Sequence, residues 1–411
     1  MRDVLIVGVS TRPAADSAAR AGYAVTALDA FGDLDQSRGV QALSMSRDCD
    51  TAFTASSAAR VAERLGCDAV MYLSNFENHP RAVQALVRGR VLLGNPPAVL
   101  KRVRDPWLLA AALRRRGLPA PYLSSRAEPP KAATSRELAC DTRGQPQGED
   151  AQRAPGSVDS LTLGRDDTWL LKPRRSGGGR RIREWTPGMP VPRGAYLQER
   201  IDGVPGSISF VAARGRVVPL GLTTQIVGDP AFGASGFEYC GNILTRGDSL
   251  VAHAAQLSRI VTEEFGLVGV NGIDFVARAG MPYPVEVNPR YSASMELVER
   301  AYGVSVFAAH AASCTVGELP SFDLERASRD AAATGKAIVF ARHDVLCGDT
   351  RAWLDDPTVR DIPHPGERIP SGSPVCTVFA DGVDTSACYD ALVRCANAVY
   401  TELESWSAAP V

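Results

Sequence analysis

Tyr283-Pro284-Val285-Glu286-Val287-Asn288-Pro289-Arg290 is the stretch on which the reading of this chain turns. Upstream, Gly272-Ile273-Asp274-Phe275 closes another apolar run, and Arg278, Ala279 and Gly280 between them suit a hairpin turn. Side chains two apart on a strand share a face, so Glu286 and Asn288 project together, and a paired strand brings Asp274 to the same point. Two carboxylates and an amide oxygen make a hard, all-oxygen donor set suited to Mg²⁺ shared with substrate phosphates. Arg290 adds a fixed cation for a phosphate or a developing oxyanion. A solvated acidic hairpin edge would present the same residues, so the surrounding motifs have to decide.

At 411 residues, about two to four structural units are expected. A hydrophobic content of 45% is enough for proper cores. The formal net charge of −1 offers no general electrostatic case for nucleic acid or an anionic membrane. Arginine far outnumbers lysine, which draws attention to each lysine present. Cysteines stand at 49, 67, 140, 240, 314, 347, 376, 388 and 395 with no CxxC pair, against a zinc ribbon or a disulfide scaffold. The apolar start of the chain is too short for a secretory or spanning segment, and no later run reaches membrane length. A cytoplasmic protein is expected.

Val4 to Val9 reads as a buried parallel strand, Pro13 to Ala21 as a helix, and Tyr23 to Asp29 as a second strand, a βαβ beginning. The first turn lacks GxGxxG, so a nicotinamide cofactor is not expected. Cys67 to Leu73 is a third strand opening onto Ser74-Asn75-Phe76-Glu77-Asn78, either a plain turn or a ligand-reading loop at a strand's carboxyl end. Val91 to Asn95 is a fourth. Residues 98–117 carry two helices, the second from Pro106. From 124 to 167 large apolar residues are scarce, and a mobile insertion is expected. Helical character returns over Ala254 to Phe265 and Glu296 to Ala312. Strands at Lys336 to Ala341 and Pro374 to Ala380 precede a closing helix from Asp384 to Leu403.

Lys172 ends a strand and is followed by Ser176-Gly177-Gly178-Gly179 among four arginines. Glycines let backbone amides turn toward phosphate oxygens while lysine supplies a point charge, although a flexible basic hairpin tip would look alike. Gln198-Glu199-Arg200-Ile201 ends another strand before Asp202-Gly203, a hinge whose backbone can grip adenine, although any strand ending in a turn would match.

A strand with Lys-Pro and a glycine loop, then a hinge strand, then an Asp…Glu-x-Asn-Pro-Arg hairpin: this order and spacing resemble the ATP-grasp superfamily over residues 98–315, with residues 1–97 similar to its preceding α/β domain. The resemblance implies α/β and α+β architecture. An N-terminal open parallel α/β domain (1–97) would be followed by an ATP-grasp domain (98–315, insertion at 124–167) and a C-terminal β-rich segment with a closing helix (316–411). It implies that Lys172 holds the α and β phosphates and that Ser176, Gly177, Gly178 and Gly179 close over the triphosphate. Gln198, Glu199, Arg200 and Ile201 would then form the adenine hinge. Asp274, Glu286 and Asn288 would bind one or two Mg²⁺ (or Mn²⁺) ions. Arg290, with Lys172, would act on the γ-phosphate and acylphosphate.

Many members open this domain with Asp-Lys, where this chain has Arg104-Asp105-Pro106-Trp107, leaving Lys101 or Arg104 to substitute. The usual acidic ribose contact is replaced by Pro205, Gly206 and Ser207. Ser74 to Asn78 and the Arg104-Asp105-Pro106 variant resemble one branch, the carboxylate–amine ligases that include the tyramine–glutamate ligase of methanofuran synthesis and methylotroph counterparts.

The implied reaction is an ATP-dependent amide bond between a carboxylate, glutamate in that branch, and an amine, through an acylphosphate. Glu77, Asn78, Tyr291, Ser292 and Ser294 lie where the second substrate would be read. A carboxylase or formate-using enzyme, and a nucleotide-binding module without catalysis, are the rival readings. Small-molecule substrates, no nucleic acid or membrane partner, and a homodimer complete the expectation.

Overall fold

The protein is described here by a computed structural model covering residues 3–36, 39–125, 168–245, 249–329 and 331–407. The stretch 124–167, read as an insertion, lies from residue 126 onward outside the described residues.

Strand Asp3–Val7 sits in the middle of a five-stranded parallel sheet, between Ala24–Asp29 on one side and Ala69–Tyr72 on the other. Val40–Ser44 and Val91–Leu93 are its edges. Val4 and Ile6 pack toward helix Arg12–Arg20, and Leu5 and Val7 toward Ala55–Ala62 and Pro80–Leu86. A parallel strand covered on both faces must be apolar throughout, which is why the run shows no alternation. Each such side chain contributes about 1.5–3 kcal/mol on burial. The chain leaves the sheet in opposite directions from Asp3–Val7 and Ala69–Tyr72, so their carboxyl ends part to form a crevice at the switch point. Edge strand Val40–Ser44 and helix Ala55–Ala62 had no counterpart in the sequence reading; the strand is short and half-exposed, and carries little pattern.

The second layer is an eight-stranded antiparallel sheet running in the order Met281–Asn288, Gly269–Arg278, Val204–Ala213, Arg216–Val227, Tyr239–Leu244, Ala333–Phe340, Pro374–Gly382, Val359–Arg360. The C-terminal β-rich part therefore continues this sheet, and helix Thr385–Ser407 covers it through Cys388, Leu392, Ala396, Val399 and Leu403. A four-stranded antiparallel sheet holds Leu123–Ser124, Ala195–Glu199, Trp169–Pro173 and Arg183–Trp185.

Helix Pro106–Arg115 explains the Asp105-Pro106 pair. The Asp105 carboxylate accepts from the amides of Trp107 (2.9 Å) and Leu108 (3.2 Å), and proline at the first turn gives up an amide that the helix does not use. The helix expected over 296–312 is two, Met295–Tyr302 and Val306–Thr315. Gly303, at φ +67°, ends the first in the left-handed conformation. Among the described residues, no helix is long and apolar enough to cross a membrane, and all eight cysteines are free.

Candidate functional site

Strands Gly269–Arg278 and Met281–Asn288 form the expected hairpin, turning through Ala279 and Gly280 at φ +51° and +75°. Register places Asp274 opposite Glu286 and Gly272 opposite Asn288. Asn288 Nδ2 donates to Asp274 Oδ2 at 2.8 Å, and Gln225 Nε2, reaching across from strand Arg216–Val227, donates to Asp274 Oδ1 at 2.9 Å. Burial, then the neighbouring Glu286, push the Asp274 carboxyl up to about 6. Glu286 goes the other way: burial would raise it, but Arg104 and Lys172 hold it below the usual carboxylate range. Two facing carboxyls with one reluctant to ionise are what a cation site looks like before the cation arrives.

Of the two basic residues before Asp105-Pro106, Lys101 is exposed and Arg104 is turned into the protein beside the hairpin. Its guanidinium pairs with Glu286 and donates to Val287 O (2.9 Å), Asn78 Oδ1 (2.9 Å from Nη2) and Ser176 O (3.5 Å). Asn78 itself donates to Ser176 O at 3.2 Å. One arginine thus ties the hairpin to the glycine loop and to the turn after strand Ala69–Tyr72. Glu77 lies behind this group. Its carboxylate is fully enclosed, 2.9 Å from Arg290 Nη2, and does not face the cavity. Glu77 and Asn78, expected to read a substrate, instead hold Arg290 and Arg104, because the short 3₁₀ turn Phe76–Asn78 points both side chains inward. Arg290 also donates to Asn288 Oδ1 at 3.2 Å.

Lys172 is buried, with Nζ 3.2 Å from Gln198 Oε1 and 3.4 Å from Val285 O. The glycine loop folds onto residues 237–239: Gly178 O accepts from Tyr239 N at 3.0 Å and Arg180 Nε donates to Glu238 Oε1 at 3.2 Å. Gly179, at φ +73°, leaves no room for a side chain, since a Cβ would fall 1.7 Å from Phe237 O. Gln198, Arg200 and Ile201 line the cavity, while Glu199 is turned away to accept from Tyr122 N at 3.0 Å. Ser292 and Ser294 join it through a hydroxyl pair at 3.1 Å, with Tyr291 buried beside them.

Lys172, the hinge residues Gln198, Arg200 and Ile201, Ser176 to Gly179, and Asp274, Glu286, Asn288 and Arg290 line one cavity of about 1070 Å³. Leu170, Ile201, Phe275 and Val285 give one part an apolar lining fit for a flat base. Ser10 and Asn75 from the crevice of the parallel sheet, and Lys336 and Asp361 from the C-terminal part, complete the wall. Of the described lysines, Lys172 and Lys336 both line the cavity. Gln225, Tyr239 and Lys336 were missed by sequence reasoning, because strand alternation shows which residues are buried but not which strand lies beside them.

Among the described residues, no cluster of three or more His, Cys, Asp or Glu is arranged to hold a metal by itself. The set Asp274, Glu286 and Asn288 fits Mg²⁺ as a partial site, in which phosphate oxygens complete the shell. The donors are all oxygen, two of the groups are carboxyls, Asn288 bonds Asp274, and Glu286 stands opposite Asp274 in the pairing.

Residues 103–294 match the profile of a family described as an ATP-grasp domain. The chain carries an ATP-grasp domain. Solved structures extend the likeness in fold beyond the matched residues. The L-amino acid ligase of Bacillus licheniformis is 15% identical, with a TM-score of 0.58, over 98% of this chain and 97% of that one. The biotin carboxylase of Campylobacter jejuni, solved as a β-γ-ATP complex, is 12% identical at a TM-score of 0.64, over 94% and 89%. N5-carboxyaminoimidazole synthetase of Staphylococcus aureus, solved with ADP, is 14% identical at 0.62, over 97% and 96%. No curated protein matches in sequence. The fold common to these structures comprises the parallel sheet, the ATP-grasp domain and the β-rich C-terminal part found here.

Proposed function

We propose that this protein is an ATP-dependent carboxylate–amine ligase that releases ADP. The observation carrying the reading is that Lys172, Arg290, the glycine loop and the Asp274–Glu286–Asn288 set line one cavity. We divide the chain functionally as 1–97, 98–315 and 316–411, each contributing wall to that cavity.

In this reading Lys172 and the amides of the glycine loop hold the triphosphate, and Gln198, Arg200 and Ile201 seat the base against Leu170 and Phe275. Asp274, Glu286 and Asn288 would hold Mg²⁺, which neutralises phosphate charge when bound. The substrate carboxylate oxygen attacks the γ-phosphorus, the bond to ADP breaks, and Arg290 stabilises the charge on the transferring group. The amine nitrogen then bonds to the acyl carbon, the carbon–oxygen bond to the phosphate breaks, and phosphate leaves together with the proton shed by the nitrogen. Glu77 positions Arg290 for both steps. Closure of the glycine loop excludes water, which would otherwise hydrolyse the acylphosphate. Glutamate is the acid suggested by Ser74–Asn78 and Arg104-Asp105-Pro106, with an aromatic amine such as tyramine as its partner. The free cysteines support a reducing, cytoplasmic setting.

Hydroxylamine, which traps acylphosphates as hydroxamates, tests the reading without knowledge of the amine. Incubation with Mg²⁺·ATP and L-glutamate or other amino acids is expected to yield ADP and hydroxamate in equal amounts. ADP release driven by bicarbonate or formate alone would replace the ligase by a carboxylase or formate-using enzyme. ATP bound but never consumed, whatever the acid, would indicate a module without catalysis.

Arg104→Lys provides a narrower check. A lysine cannot span Glu286, Asn78 and Ser176 O together, so ATP affinity measured by calorimetry is expected to fall about tenfold or more. Unchanged affinity would remove Arg104 from the nucleotide site.

A further inference from the structure

Where the parallel sheet meets the C-terminal segment, the cavity wall carries Asp33 and Asp361. The turn after strand Ala24–Asp29 is pinned there. Leu34 N donates to Ile362 O at 2.8 Å, the Asp35 carboxylate accepts from the amides of Asp361 (3.2 Å) and Ile362 (2.9 Å), and His364 Nε2 lies 2.9 Å from Gly32 O. Asp361 itself adopts φ +57°, in the left-handed region. These contacts hold two carboxyls from distant parts of the chain on one wall.

The charges do not balance. Arg12 donates to Asp361 Oδ1 (2.7 Å) and Glu296 Oε1 (2.8 Å) and stands 3.6 Å from both Asp35 and Asp16. Lys336 is committed to Glu296 Oε2 at 2.6 Å. Among the described residues Arg12 and Lys336 are thus shared among Asp16, Asp35, Asp361 and Glu296, with Arg300 also near enough to Glu296 to feel its charge, and no ion pair reaches Asp33. Asp29 adds no relief, its carboxylate being already satisfied by Thr11, Phe31 and Gly32. Asp33 bears the deficit: its Oδ2 is buried and makes no hydrogen bond. Burial first, then Asp361, Asp29 and Asp35, push the Asp33 carboxyl well above the ordinary range, with Arg12 pulling the other way. A carboxyl beside a cavity with one buried, unbonded oxygen is complementary to a cation. Phe31 and Ile338, on the same wall, suit the carbon chain attached to it.

We propose that Asp33 and Asp361 form a subsite for the ammonium group of a substrate. The inference rests on the ligase reading and deepens it, since such an enzyme handles ammonium in two forms. One is the free amine substrate; the other is the α-ammonium of an amino acid that supplies the carboxylate.

Calorimetric titration of the protein loaded with Mg²⁺ and a non-hydrolysable ATP analogue, using L-glutamate, glutarate and ethylamine, separates these sources. Asp33→Asn and Asp361→Asn keep shape, and asparagine tolerates the left-handed backbone at 361. Each is expected to weaken binding of an ammonium-bearing probe by about tenfold or more, the worth of a charge-assisted hydrogen bond, and to leave glutarate and nucleotide binding unchanged. Weakened glutamate assigns the subsite to the acid substrate, and weakened ethylamine to the amine. Asp33→Asn replaces a carboxyl whose buried Oδ2 makes no hydrogen bond, so its melting temperature should equal or exceed that of the parent, which separates loss of the subsite from loss of fold. Wild-type affinity in both variants, or no binding of either ammonium probe by the parent protein, overturns the proposal. The hydroxamate assay stands apart: failure there with every acid removes the ligase reading, while ammonium binding that depends on Asp33 leaves the subsite in place.

Discussion

Glu286→Gln is expected to lower ADP release by about a thousandfold or more, with the fold retained. Glutamine preserves the side chain's shape and its place opposite Asp274 but removes the charge held ionised by Arg104 and Lys172. Two consequences follow. In the proposed ligase a hard divalent cation would lose one of its two charged donors, and Arg104 loses the carboxylate it pairs with while keeping Asn78 and Ser176 O. The glycine loop is therefore still anchored in the variant, so the loss falls on phosphoryl transfer rather than on architecture. Steady-state ADP release beside a thermal melt distinguishes these. Turnover within tenfold of the parent would dismantle the metal assignment.

Glu296 gives the largest expected effect on stability. Its carboxylate joins Arg12, on the first helix of the chain, to Lys336, on a strand of the C-terminal part, and all three are buried. Burial alone would raise its pKa, but Arg12 and Lys336 overwhelm that and draw it to about 2. Glu296→Gln leaves the buried Lys336 facing an amide while Arg12 keeps Asp361 and Asp35, at an expected cost of about 3 kcal/mol or more. The pH dependence has a definite sign. A carboxyl lowered from an ordinary 4.5 to about 2 stabilises the fold above 4.5 and loses that contribution as pH falls toward 2. The contribution is on the order of 3 kcal/mol. Denaturant midpoints measured from pH 6 to pH 2.5 should show the parent losing ground over this window and the variant losing less. Parallel curves would mean that the ion triad is not the coupling described.

The hairpin at 283–290 was legible because its information is local. Two residues of spacing put Glu286 and Asn288 on one face, and Ala279-Gly280 marks the turn that delivers Asp274. Lys172 and its glycines were legible for the same reason. What stayed hidden is what joins distant positions. Arg104 is one residue before a helix cap in sequence, yet its partners lie at 78, 176 and 286. Glu77 could be placed after a strand, but nothing local says that its carboxylate turns inward to Arg290 rather than outward to a ligand. The break at Gly303 was masked by apolar residues on both sides, which read as one helix until the backbone reverses.

Strand Ala333–Phe340 pairs along Gly241 to Leu244 and is itself covered by Pro374–Gly382. A chain ending near residue 320 would therefore bare the backbone donors and acceptors of Tyr239–Leu244, a strand whose side chains are almost wholly buried. Such an edge recruits other chains. The last quarter of the sequence is thus also a seal against self-association, and any shortened form of this protein would need a substitute for it to remain dispersed.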